Sequence, residues 1–241
     1  DYSITPLIKL NKLSSMLGLG GIWVKDESQR LQLNSFKILG GSYAIFNIIK
    51  QKLGISDKDF NFSTLNLIDN KKQIGDLIFS TATDGNHGRG VAWAANKLGF
   101  KSVIYVHKKT SIERIKAIEK YNAIVKIIEG TYDDAVEKVK EDSIKNNWQI
   151  ISDTSWKGYE EIPKWIMQGY TTIFSEIQEQ FSAQGILKPT HIFIQAGVGA
   201  LAGSIIGYYQ NIFKENKPKI IIVEPANASC LYKSIKIGDG N

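Results

Sequence analysis

Four stretches of the sequence combine residue types that can do chemistry with a spacing that would present them. In Ser35–Gly41, SFKILGG, a lysine stands between Phe36 and Ile38 where a helix should start, with two glycines a turn later. By number alone a lysine is a solvated surface residue. Apolar flanks disfavour the ammonium form, however, and a neutral amine is what Schiff-base chemistry on a carbonyl requires. In Ser80–Ala95, STATDGNHGRGVAWAA, an apolar run enters a polar loop and then a helix-like segment. Backbone N–H groups at a helix start bind anions such as a carboxylate. Asp84 is placed to move a proton, and Asn86 to donate to a ring oxygen. The same two residues could instead turn the chain or cap the helix, and His87 could be a packed, hydrogen-bonded histidine.

The third stretch, Gln195–Gly203, reads QAGVGALAG. Gly197 and Gly199 let the backbone approach a phosphate closely, without naming the phosphate. Glu224 ends the next apolar run, near where a dinucleotide site puts the acid that grips a ribose. An NAD-dependent oxidoreductase therefore stays open. Against it, the spacing is G-x-G-x-x-x-G, and the loop comes late, after two other unusual junctions. In the fourth stretch, SDTSWKGYEEIPKWIMQGY, Asp153 falls at a strand end, where a site could be. Trp156, Tyr159 and Trp165 read as core in the first instance.

These residues need a frame. Strand-like runs at Ile22–Lys25, Leu77–Thr81, Ser102–Val106, Ile124–Ile128, Gln149–Ser152, His191–Gln195 and Lys219–Val223 are mostly continuous and apolar. Strands buried on both faces look like this. Helix-like segments alternate with them: Phe36–Lys52, with Ile38, Ala44, Ile45, Ile48 and Ile49 near a 3.6 period, then 88–98, 112–121, Tyr159–Phe181 and Ala200–Phe213. Thr110 with Glu113, and Thr131 with Asp134, read as capping boxes. The alternation predicts an α/β fold with mainly parallel sheets. Gly54–Gly75 reads as an irregular connection at a domain junction.

Composition narrows the classes. With 241 residues, 43% hydrophobic and 22% charged, the chain suits one large or two modest globular domains. No apolar run approaches the roughly 20 residues of a membrane span. The first residues lack the pattern of a signal peptide, so a cytoplasmic protein is expected. The single cysteine, Cys230, excludes an intrachain disulfide, and three scattered histidines give no metal-ligand spacing. The net charge of +6 comes from lysines interleaved with acids, and only three residues are arginine. That is a solvated surface rather than a nucleic-acid face.

Taken in order, NSFKILGGSYA, TATDGNHGRGVAWAA, DTSWKGYEEIPKWIMQGY and QAGVGALAG resemble the fold-type II pyridoxal-phosphate (PLP) enzymes, the tryptophan synthase β-like group. That group includes threonine and serine dehydratases and cysteine synthase. Asp84, where the dehydratase loop has a small hydroxyl residue, and the WIMQGY segment make the resemblance strongest to the diaminopropionate ammonia-lyases. It implies that Lys37 holds the cofactor as a Schiff base, that Phe36 packs near the pyridine ring and that Asn86 hydrogen-bonds the phenolic oxygen. It implies further that Gly197, Val198, Gly199 and Ala200 offer amides to the phosphate. The loop Thr81, Ala82, Thr83, Asp84 and Gly85 would hold the substrate carboxylate, with Asp84 and Asp153 as acid–base or ammonium-binding groups.

The implied reaction is a PLP-dependent α,β-elimination turning 2,3-diaminopropionate and water into pyruvate and two ammonia, in a homodimer. A serine or threonine dehydratase, or a non-catalytic remnant, are the remaining alternatives. The implied architecture is two open, mainly parallel sheets flanked by helices. A larger PLP-binding domain would comprise 1–75 and 161–241, and a smaller inserted α/β domain 76–160. Members of the group are longer than this chain. The later glycine-rich elements and the partner of the pyridine nitrogen are expected beyond Asn241, leaving the larger domain incomplete at the C-terminus of a truncated chain.

Overall fold

A computed structural model describes residues 2–56 and 74–238; of the expected connection Gly54–Gly75, residues 57–73 lie outside the described residues. The chain forms two compact units, Asp1–Phe36 with Tyr170–Asn241, and Lys37–Gly169. The junctions expected at 75/76 and 160/161 both fall within the second unit.

The first unit opens with β1 (Leu7–Lys9), α1 (Asn11–Met16) and β2 (Trp23–Lys25). The strands pair antiparallel, Ile8 opposite Val24. Neither β1 nor α1 is visible in the sequence pattern, because three- and six-residue elements carry too little periodicity. After β2, a buried ion cluster forms around Arg30, which is 0% exposed. Its guanidinium donates to both oxygens of Glu176 at 2.6 and 2.8 Å, and to both oxygens of Glu27 at 2.8 Å. Lys25 reaches Glu176 at 2.7 Å, and the Tyr2 hydroxyl donates to the same carboxylate. Two cations thus face two carboxylates, and every charge has a partner, as burial demands.

The second unit starts with α2 (Lys37–Leu53), which buries Ile38, Ala44, Ile45, Ile48 and Ile49 as its period predicts. Then follow β3 (Ile78–Ala82), α3 (Asn86–Lys97), β4 (Lys101–His107), α4 (Ile112–Glu119), β5 (Ile124–Ile128), α5 (Tyr132–Asn146), β6 (Gln149–Ile150) and α6 (Glu161–Ser182). The division between units passes through α6. The strands form one parallel sheet in the order β5-β4-β3-β6. β3 and β4 are buried, as expected. β5 is an edge strand, and Ile124 and Ile127 are each 58% exposed. The helices α2 and α3 approach closely at Gly90, where a Cβ would sit 3.1 Å from the Ile38 Cα.

Of the two expected capping boxes one forms. The Thr131 hydroxyl accepts from the Asp134 N–H, and the Asp134 carboxylate accepts from the Thr131 N–H at 2.7 Å. The Thr110–Glu113 box does not form. The Thr110 N–H closes the turn after β4 by donating to the His107 carbonyl at 2.9 Å, and α4 begins one residue later, after Ser111.

The chain returns to the first unit with β7 (His191–Gln195), α7 (Ala200–Phe213), β8 (Lys219–Val223) and α8 (Cys230–Ile237). β7 and β8 pair in parallel across the α7 crossover. Burial on both faces, expected from their apolar runs, is not found: Phe193 is 72% and Val223 51% exposed. Among the described residues this sheet has two strands only, so each is an edge. The helix α8 is not among the helices that the sequence pattern predicts.

Candidate active site

In the order β5-β4-β3-β6, the chain steps outward from β3 to β4 and β5, then returns to the other flank of β3 as β6. The direction of winding reverses between β3 and β6. Loops leaving the carboxyl ends of such neighbouring strands diverge and open a crevice. The loop after β3 carries Thr83, Asp84 and Gly85; the segment after β6 carries Ile151, Ser152 and Asp153.

The register fixes what meets there. Ser80 pairs with Ile150, and the Ile151 N–H donates to the Ser80 carbonyl at 2.8 Å. Asp153 follows at the strand's end, 6% exposed, and accepts from the Lys37 Nζ at 2.5 Å. Lys37 is the first residue of α2, and its side chain is 24% exposed. Burial alone would raise the Asp153 carboxyl, but the facing His87 and Lys37 charges outweigh it and hold the group at about 2. Burial also drives His87 toward the neutral imidazole.

His87 lies in the first turn of α3, 5% exposed. Its Nε2 is 2.8 Å from the Ile151 carbonyl, an obligate acceptor, so Nε2 bears the hydrogen. Its Nδ1 has no hydrogen-bond partner among the described residues and sits 3.9 Å from Asp153. His87 is therefore both packed, as sequence allows, and part of the Lys37–Asp153 group.

The loop after β3 is built around one hydroxyl. Thr83 Oγ1 accepts from the amides of Gly85 at 2.9 Å and Gly88 at 3.0 Å. Gly85 has φ +150°, which glycine alone adopts readily. Thr81, Ala82 and Thr83 are buried; Asp84 and Asn86 are exposed. The Asp84 carboxylate lies 3.1 Å from His107 Nε2, and its carbonyl accepts from Arg114 at 3.1 Å. Tyr132, at the start of α5, is a further member. Burial first, then the Asp153 charge and after it that of Asp84, raises its phenol to about 12. Tyr132 and His107 are residues the sequence patterns do not single out.

Phe36 and the loop Gly197–Ala200 belong to the other unit. There Phe36 packs edge-on against Tyr170 at 5.1 Å. Gly199 caps α7 with φ +95°, and a Cβ on it would meet Leu231 at 3.1 Å. The amides of Gly197, Val198 and Gly199 have no partner among the described residues. Glu224 cannot serve a ribose as the dinucleotide reading requires: its two oxygens accept from the Leu231 and Tyr232 amides, each at 2.9 Å. Trp156 and Tyr159, read as core, are half-buried and stack on each other at 4.0 Å. The Tyr159 hydroxyl accepts from the Ser152 N–H at 2.9 Å and so braces the segment before Asp153.

Comparison with known proteins shows the family. The diaminopropionate ammonia-lyase of Salmonella typhimurium is 48% identical over 240 residues, which is 100% of this chain and 59% of that protein. The crystal structure of the Escherichia coli diaminopropionate ammonia lyase in complex with D-serine superposes with a TM-score of 0.93 at 43% identity, over 99% of this chain and 60% of that one. The same enzyme with an aminoacrylate-PLP azomethine reaction intermediate gives a TM-score of 0.90 at 42% identity, over 99% of this chain and 59% of that one. The chain thus spans about three fifths of the length of the relatives it matches. Its α/β fold is the fold-type II architecture. The model of the family described as "Pyridoxal-phosphate dependent enzyme" matches residues 1–240, which sets the NAD reading aside: the chain belongs to the pyridoxal-phosphate dependent enzymes.

Proposed function

We propose that the protein carries out α,β-elimination on 2,3-diaminopropionate, yielding pyruvate and two ammonia. The observation that carries this reading is the pair of carboxylates at one crevice, Asp153 on the Lys37 amine and Asp84 on the neighbouring loop. Two acids beside a reactive lysine favour a substrate whose β-substituent is an ammonium over one bearing a hydroxyl.

The residues fit the cofactor. The open amides at the start of α7, with Gly199 where a side chain would crowd Leu231, suit a phosphate. Gly197, Val198, Gly199 and Ala200 would hold it, Phe36 would pack beside the ring, and Asn86 would hydrogen-bond its phenolic oxygen. When bound, PLP supplies an electron sink for the pair left at the α-carbon as its proton departs. Lys37 Nζ would take that proton on one face of the substrate and Asp84 on the other, so both D and L isomers would be accepted. Asp153 orients Lys37 Nζ and, as a carboxylate, would hold the substrate's β-ammonium, which leaves as ammonia. Thr83 already fills the Gly85 and Gly88 amides, so the substrate carboxylate would rest on the remaining first-turn donors beside the loop Thr81–Gly85.

We read the protein further as a cytoplasmic homodimer of amino-acid catabolism, with 76–160 as its smaller domain. No described helix is long and apolar enough to cross a membrane. The test is keto-acid release by the PLP-loaded protein from D- and L-diaminopropionate, serine and threonine. Diaminopropionate should lead in kcat/KM by at least about 10-fold, the scale of one selective polar contact. A lead for serine or threonine would favour a dehydratase instead. Stoichiometric PLP uptake without keto acid from any of them would leave a non-catalytic remnant.

A further inference from the structure

We propose that His107 is a positioning residue for Asp84, holding its carboxylate through a close polar contact from Nε2. The inference rests on the reading of Asp84 as a proton-handling group. The pairing follows from the sheet. β3 and β4 run parallel with Ala82 opposite Tyr105, and the Thr83 N–H donates to the Tyr105 carbonyl at 3.0 Å. Two residues further on, each chain presents its side chain at the same level, Asp84 on one and His107 on the other.

The imidazole is itself held. The Lys109 N–H donates to His107 Nδ1 at 3.2 Å, so Nδ1 is the acceptor nitrogen and the hydrogen resides on Nε2. That nitrogen faces Asp84 Oδ1 at 3.1 Å. The ring side chain is 21% exposed and the carboxylate 63%. A contact so open to water contributes little to stability. What it does is select one rotamer for a carboxylate that would otherwise sample several. The backbone beneath is fixed independently, by Arg114 on the Asp84 carbonyl and by Thr83 on the Gly85 amide. Among the described residues, His107 is the ion-pair partner that the Asp84 carboxylate has. Misplacing a reacting group by about 1 Å can cost 100-fold in rate.

Two readouts test the proposal. In the cofactor-free protein at alkaline pH, nitrogen-15 NMR identifies which His107 nitrogen carries the hydrogen. Nε2–H is expected; Nδ1–H overturns the proposal, because a bare Nε2 cannot donate to Asp84. In the PLP-loaded protein, turnover of D- and L-diaminopropionate is compared for Asp84→Asn, His107→Leu and His107→Gln. His107→Leu should reproduce the isomer pattern of Asp84→Asn, with a loss of about 10- to 100-fold on the affected isomer. His107→Gln, which keeps a donor near the Nε2 position, should recover most of it. A His107→Leu pattern unlike that of Asp84→Asn, or no recovery with glutamine, overturns the proposal. If Asp84→Asn depresses both isomers equally and His107→Leu follows it, the positioning role stands and the two-face reading of the reaction fails.

Discussion

The Asp153 carboxylate receives the Lys37 amine at 2.5 Å and stands 3.9 Å from the bare Nδ1 of His87. One buried acid thereby fixes the lysine that would meet the cofactor. It also holds that lysine at the carboxyl end of the sheet, beside the loop that carries Asp84. Borohydride reduction of the PLP-loaded protein followed by peptide mapping should therefore place the pyridoxyl group on Lys37. Label elsewhere, or label persisting in Lys37→Ala, would sink the assignment.

The same pair predicts a pH dependence. Asp153 titrates at about 2 in the folded chain, below the ordinary carboxylate range near 4. A depressed carboxyl stabilises the fold above its unfolded value, and that stability is lost as pH falls through the folded value. The contribution is roughly 2 kcal/mol. In denaturant titrations, the difference between the native chain and Asp153→Asn should be level above about pH 5 and close between about pH 4 and 2. A difference constant down to pH 2 would show that Asp153 is not the titrating partner.

Two helical glycines should respond oppositely to alanine. At Gly207 in α7 an added Cβ meets nothing within 4 Å, so Gly207→Ala should stabilise by about 0.5–1 kcal/mol through helix propensity. At Gly90 the Cβ would meet backbone, the Ile38 Cα at 3.1 Å and the Lys37 carbonyl at 3.3 Å. Overpacking costs about 1–3 kcal/mol and outweighs the same propensity gain. It also pushes on the first turn of α2, so Gly90→Ala should weaken PLP uptake. Stabilisation by both changes in urea titrations would refute the close approach of α2 and α3.

Glu176→Gln should destabilise the first unit by about 3–5 kcal/mol, because it leaves Arg30 and Lys25 short of a buried countercharge. The carboxyl is raised by burial, but Arg30, Lys25 and Tyr2 hold it at about 2. The penalty should thus persist down to about pH 4 and fade below it. Equal urea midpoints at neutral pH for the two proteins would show that the cluster is dispensable.

What could be read in the sequence was local. The Thr131–Asp134 box needs residues three apart. The period of α2 and the glycines beside the expected phosphate loop are also short-range signals. The Lys37–Asp153 bond joins residues 116 apart. It depends on β6, two residues long, choosing the free flank of β3. The Asp84–His107 contact depends on the β3–β4 register, which no single residue encodes. Glu224 misled because an acid after a strand looks the same whether it grips a ribose or a helix start. Thr110 misled because two adjacent hydroxyl residues could each precede α4, and the tight turn on His107 took the first.

The Arg30 cluster also bears on how the protein is made. Arg30 and Glu176 are separated by 146 residues. At about 5–20 residues per second, a ribosome needs roughly 7–30 s to reach the second after the first. During that interval Lys37–Gly169, one continuous stretch, can assemble its own sheet. The segment that carries Arg30 must wait as nascent chain, with a guanidinium that lacks its Glu176 partner until α6 emerges. The segment around Arg30 is therefore completed after Lys37–Gly169 has had time to fold, and a chaperone binding newly made chains would find a long-lived target there.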